Sequence, residues 1–287
     1  MLENIKLRPI SERKNKISIQ DFKDPGKEKK IIKNTNLERL GDSIKLSRKN
    51  NKEVILMMGA HPIKLGLSLY LIELMKKGFI TYLAMNGATS IHDFEIAMIG
   101  ATSEYVEENI IEGKFGMWEE TASINNIINT TIEGYGKAIG KNILENNFKY
   151  KDYSLLGNAY KLNIPATVHI AIGTDINQQY KNFNPEKAAK ASYEDLSIFM
   201  NGISKLEGGV IINLGSAVMM PEIFQKRLNL VRNLGYKVEN FTAANLDMIN
   251  HYRPRVNVLE RTTKGKKLNI IERHEDSIPS LYYLLTK

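Results

Sequence analysis

The sequence predicts an α/β fold, a mostly parallel sheet with helices on both faces. Two observations carry this expectation. Short, continuous apolar runs of strand length recur along the chain and end in glycine, and stretches of helical period follow them. Strands buried on both faces read as unbroken apolar runs, and parallel neighbours need a crossover between them, usually a helix.

Residues 1–50 are polar and irregular, with a turn at Asp24-Pro25-Gly26 and a helix expected over Leu37–Ser47. Regular alternation starts at Glu53. Glu53–Met58 reads as a strand, Ile63–Lys77 as a helix through Leu67, Leu71, Leu74 and Met75, Phe79–Met85 as a strand and Ser90–Ile99 as a helix. Residues 103–162 read as mostly helical, with one long helix over Asn125–Asn146 bent near Gly134 and Gly136. Ala166–Ile172 is then a strand, and Pro185–Lys205 a helix opened by its proline. Gly209–Leu214 is a strand, Pro221–Leu234 a helix and Lys237–Thr242 a strand. No repeat or linker divides the chain. An N-terminal arm and helix (1–50) followed by one α/β domain (51–287) is the expected organisation.

Composition narrows the function classes. The 287 residues are 25% charged and 43% hydrophobic, as in soluble globular proteins. There is no cysteine, which excludes disulfides, thiolate catalysis and zinc–thiolate sites. No apolar stretch reaches membrane-spanning length, and the first residues lack a secretory apolar core. A cytoplasmic protein without a membrane partner is expected. The net charge of +8 concentrates in Lys6–Lys52, including Lys27, Lys29, Lys30 and Lys33, and at Arg261, Lys264, Lys266 and Lys267. No zinc finger, aromatic ribonucleoprotein motif or helix-turn-helix accompanies it, so a solvated surface explains it better than nucleic-acid binding.

Chemistry is expected in the turns. In open α/β sheets ligands bind outside the carboxyl ends of the strands, where loops from distant parts of the chain gather. Gly59-Ala60-His61 follows the first apolar strand and resembles a phosphate-cradling turn without being a Walker or dinucleotide fingerprint. Asn86-Gly87-Ala88 precedes His92, Asp93 and Glu95 at helical spacing. Gly173-Thr174-Asp175 places a carboxylate after the strand that contains His169, and a lone histidine in a strand reads more readily as core. Gly215-Ser216-Ala217 offers small residues for close approach, and Thr242–Asp247 reads as a turn bearing Asn245 and Asp247. Arg273-His274-Glu275-Asp276 reads equally as part of this end or as a surface charge cluster. No metal-ligand spacing such as HExxH and no serine-hydrolase elbow is present, and no metal is expected.

The order of these motifs, from about Val54 to Leu246, resembles the deoxyhypusine synthase family. The carrying segments are Asn86–Asp93, Ile164-Pro165 leading to Gly173-Thr174-Asp175, Glu194-Asp195-Leu196, and Gly208–Gly215. Asn86-Gly87-Ala88 with Ile91-His92-Asp93-Phe94-Glu95 also looks like a signature of archaeal-type ornithine cyclodeaminase domains. The resemblance implies a Rossmann-like NAD-binding fold, a homo-oligomer (tetramer or dimer) and transient oxidation of a C–N bond. One departure matters. Gly215–Pro221 contains no lysine, whereas the family forms its covalent imine on a lysine after this strand.

The resulting expectation is an NAD-dependent transferase or oxidoreductase acting on a small amine- or hydroxyl-bearing substrate. His92 would serve as general acid/base, with Asp93 and Asp175 orienting the substrate. NAD would lie along Gly59, His61, Asn86, Gly87, Gly215, Ser216, Ala243, Asn245 and Asp247. The alternative is a noncatalytic nucleotide-binding or assembly protein that retains the fold.

Overall fold

The computed structural model describes residues 4–27 and 31–287; Lys29 and Lys30 of the basic N-terminal segment lie outside them. An arm carrying strand β1 (Asn15–Ser18) leads to helix α1 (Thr35–Lys49). Next come β2 (Val54–Met58), the single turn α2 (His61–Lys64), α3 (Ser68–Lys76), β3 (Tyr82–Asn86), α4 (Gly87–Ile99) and β4 (Ala101–Glu104). A helical section holds α5 (Val106–Ile111), α6 (Ser123–Thr130), α7 (Tyr135–Glu145) and α8 (Leu155–Lys161). Alternation resumes with β5 (Ala166–His169), α9 (Pro185–Ser204), β6 (Val210–Leu214), α10 (Met219–Asn233) and β7 (Thr242–Asp247). A π-helical turn (Pro254–Glu260), β8 (Lys267–Ile271) and α11 (His274–Thr286) close the chain.

Six parallel strands form the main sheet in the order β5-β3-β2-β6-β7-β8. Counted along the chain, that is 3-2-1-4-5-6, the order of a Rossmann-like sheet. Every residue of β2 is buried. Val54, Leu56 and Met58 join the larger core with Leu37, Phe94, Ile139 and Ile278 on one face. Ile55 and Met57 face the other way, towards Phe199, Phe224 and Val258. A strand covered on both sides needs apolar residues at consecutive positions, and that is the run the sequence shows.

Several elements differ from the sequence reading. The Ile63–Lys77 helix is broken into α2 and α3 at Gly66, whose φ of +68° no regular helix accommodates. The long Asn125–Asn146 helix is two, because the backbone is extended at Thr131 (ψ 147°) and Gly134 (ψ 155°), between the end of α6 and the start of α7. Thr242–Asp247 is a strand, not a turn. Its alanines read weakly as β, but β6 and β8 hydrogen-bond it from both sides. The arm strand β1, its antiparallel partner β4, and the terminal β8 and α11 had no counterpart in the reading.

Candidate active site at the carboxyl end of the sheet

The strand order reverses between β2 and β6, and the turns after these strands meet there. Gly59 N–H donates to Leu214 O (3.0 Å), and Gly215 N–H donates to Leu246 O (3.0 Å). A Cβ on Gly59 would overlap the Gly215 carbonyl oxygen, so only glycine permits this crossing. Gly215 itself has φ +63°, and a Cβ there would lie 2.9 Å from His274 Nε2. The His61 and His274 rings lie against each other with centroids 5.5 Å apart. Ser216 Oγ accepts from Met220 N–H (3.3 Å), and Asp247 Oδ1 accepts from Met248 N–H (2.8 Å).

A row of asparagines crosses the sheet beside this junction. Asn213 Nδ2 donates to Asn245 Oδ1 (2.9 Å), and Asn245 Nδ2 donates to Asn269 Oδ1 (3.0 Å). The three are register partners on β6, β7 and β8. Asn245 is therefore a buried link in this ladder. Ala243 is displaced further from the expected position. It is buried near the amino end of β7, away from the carboxyl-end crevice, because the strand starts at Thr242. Asp247, the last residue of the strand, does reach that end.

The second group of expected residues lies beside β3. Asn86 caps α4: its Oδ1 accepts from Thr89 N–H (2.9 Å) and Thr89 Oγ1–H (2.6 Å). Gly87 makes room for Asp175, whose carboxylate sits where a Cβ would project. Asp93 turns inward and is buried, accepting from Ser154 Oγ (2.6 Å), Leu155 N–H (2.6 Å) and Leu156 N–H (3.0 Å). These bonds hold the start of α8 and leave Asp93 facing the core. His169 is buried against Phe199, with its Nε2 3.0 Å from Thr167 Oγ1.

His92 and Asp175 do converge. Both line a cavity of about 220 Å³ with Arg13, Lys64, Glu95, Glu104 and Phe115. Arg13, from the arm, grips Glu95 in a bidentate pair (2.7 and 2.9 Å) that is buried on both sides. Burial opposes ionisation of Glu95, yet the Arg13 charge and hydrogen bonds hold its pKa below the usual carboxylate value. Thr102 Oγ1–H donates to Glu95 Oε2 (2.6 Å), and Thr121 Oγ1–H donates to Oε1 (2.8 Å). Thr102 has one hydroxyl proton, and Glu95 takes it. The 2.7 Å contact between Thr102 Oγ1 and His92 Nδ1 must therefore be donated by the ring. That assignment fixes the tautomer: Nδ1 carries the proton and Nε2 keeps its lone pair.

The electrostatics leave the His92 ring uncharged. Burial, then the neighbouring Lys64 charge, pushes His92 down to about 4, so the ring is neutral near neutral pH. Burial pushes Asp175 up to about 6. Lys64 is exposed overall, but burial around its ammonium and the charge of Lys16 hold its pKa below the usual lysine value. The turn α2 links the two regions, with His61 at the switch point and Lys64 on the cavity wall. The sequence reading quoted Glu95 within a motif but did not assign it, and it missed Arg13, Lys64 and Thr102. The spacing of His92 and Glu95, three apart on one helix, was the available signal. Nothing local links Arg13 or Thr102 to them.

No family model and no curated sequence matches the chain. Solved structures do resemble it. AgrE, in a ternary complex with ornithine and NAD+, superposes with a TM-score of 0.58 at 13% identity over 89% of this chain and 33% of AgrE. A conserved putative LOR/SDH protein from Methanococcus maripaludis S2 gives 0.55 at 15% identity over 88% of this chain and 68% of that one. A putative deoxyhypusine synthase from Entamoeba histolytica gives 0.53 at 12% identity, covering 87% of each. The chain thus spans about a third of the length of AgrE. At these identities the likeness establishes a common fold: this is a Rossmann-like α/β protein whose structural relatives include NAD-binding and deoxyhypusine synthase-like proteins.

Proposed function

We propose that the chain is an NAD-dependent enzyme that oxidises a small amine- or hydroxyl-bearing substrate, a deoxyhypusine synthase-like protein without that family's lysine. The observation that carries this reading is the fixed tautomer of His92, with its lone pair at Nε2, in a cavity shared with Asp175. The ornithine and NAD+ bound to AgrE support the substrate and cofactor classes.

The switch point suits a dinucleotide. Gly59 and Gly215 bring two backbones together there, and Asn213 Oδ1 and both ring nitrogens of His274 are buried without a hydrogen-bond partner among the described residues. Gly59, His61, Gly215, Ser216 and Asp247 would hold the cofactor, with Asn86 and Gly87 at its margin. Bound NAD would supply the hydride acceptor. His92 Nε2 takes the proton from the substrate amine or hydroxyl as the C=N or C=O bond forms. The resulting imidazolium donates through Nδ1 to Thr102, one hydroxyl from ionised Glu95, and Arg13 keeps Glu95 in place. Asp175 orients the substrate's cationic group. The reading extends to a cytoplasmic homo-oligomer, dimer or tetramer.

Calorimetry with NAD and NADH tests the cofactor, and NADH formation with a panel of amines and polyols tests the chemistry. The wild type should bind NAD, and His92→Gln should bind it equally while losing at least about 100-fold in turnover. Absence of binding to either form would favour the noncatalytic reading. Undiminished turnover in His92→Gln would remove the base.

A further inference from the structure

His274 has no role in the proton relay, yet its environment is unusual. The side chain is fully buried, and neither ring nitrogen has a hydrogen-bond partner among the described residues. A neutral imidazole carries one donor and one acceptor, and burying both unpaired is costly. His274 opens α11 directly after β8, the ring of His61 tilts against it at 56°, and Nε2 abuts Gly215. Three separate elements thus place an unpaired donor and acceptor at the point where the strand order reverses. One turn further along α11, Ser277 Oγ is also buried and, among the described residues, unpaired. A histidine kept solely for packing would lose nothing as an aromatic hydrocarbon of the same shape.

We infer that His274 is a cofactor-binding residue, its ring hydrogen-bonding a phosphate oxygen of the dinucleotide across from His61. This rests on the NAD reading above and extends it to α11. In dinucleotide-binding sheets the pyrophosphate lies beside the first βα turn, which here is Gly59-Ala60-His61. Burial is the largest influence on the ring and lowers its pKa, with His61 adding to the effect and Asp247 and Glu275 opposing it.

The test pairs NMR on the wild type with one substitution. The ring nitrogens of His274 are followed by long-range ¹⁵N–¹H spectra during titration with NAD, and saturation should shift at least one of them. His274→Phe fills the same space without unpaired nitrogens. It should melt at the same temperature as wild type or higher, while NAD affinity by calorimetry falls about tenfold or more. A purely packing role predicts the same melting behaviour with NAD affinity intact. If NAD binds the wild type without moving the His274 resonances, or folded His274→Phe keeps full affinity, this inference falls and the cofactor reading stands. If the wild type binds neither NAD nor NADH, both fall. Should His274→Phe fail to fold, the wild-type titration decides alone.

Discussion

Asp93, in α4 after β3, and Asp175, in the loop after β5, are both carboxylates that the sequence carries within a few residues of an apolar strand. Their surroundings separate them. Asp93 answers three donors at the start of α8, whereas Asp175 lines the cavity with Gln178 Nε2 (3.2 Å) as its side-chain donor. Asp93→Ala would leave two backbone N–H groups and a hydroxyl buried without an acceptor. A buried unsatisfied group costs about 1–3 kcal/mol, so the denaturant midpoint should fall by the equivalent of at least ~2 kcal/mol. Asp175→Asn should hold its midpoint and raise the KM for an amine substrate. If Asp93→Ala left the midpoint unchanged while Asp175→Asn lowered it, the two assignments would have to be exchanged.

At the level of elements, β2 and β6 were legible because both of their faces are buried, which forces apolar residues at every position. β7 was not. Its Thr-Ala-Ala-Asn-Leu-Asp sequence carries small residues and an asparagine that the ladder to Asn213 and Asn269 accommodates. Helices α6 and α7 read as one because helical period runs through Thr131 and Gly134, where the backbone is in fact extended. The buried carboxylate of Asp195 makes the junction of α9 with β5 and α7 sensitive to pH. Asp195 Oδ2 accepts from Val168 N–H (2.6 Å) and Gly136 N–H (2.8 Å), but Oδ1 is buried without a partner among the described residues. Burial pushes its pKa up to about 7 from 3.8. The folded state therefore favours the protonated form. The stability this contributes is complete below about 4, the unfolded-state pKa, and is lost as pH rises through about 7. Asp195→Asn keeps the acceptor for both backbone donors and cannot ionise. Its stability relative to wild type should rise across that window by up to roughly 4 kcal/mol. Parallel stability curves for the two proteins from pH 4 to 8 would show that Asp195 does not carry this charge penalty.

Across the whole molecule, the sequence located the turns by end of sheet but not by contact. Turns were legible because glycine, asparagine and aspartate are local signals. The pairings that decide roles join residues far apart in the chain: Arg13 with Glu95, Asp93 with Ser154, His274 with Gly215. The same carboxyl end carries a further molecular property. Ile172 follows β5, Val218 follows β6, and Met248, Ile249 and Tyr252 follow β7, all of them exposed. Single exposed apolar residues are ordinary on a protein surface. Their recurrence in the loops at one end of one sheet, around the crevice, argues for a covered rim, and a second copy of the chain is the predicted cover. Light scattering should then give a multiple of 32.6 kDa. With a net charge of +8 on each copy, like charges repel, so added salt should strengthen the association. Ile172→Lys combined with Ile249→Lys should reduce the mass to that of one chain without lowering the melting temperature of the fold. A wild type that scatters as a single chain at high protein concentration and high salt would leave the rim open and the site built from one copy alone.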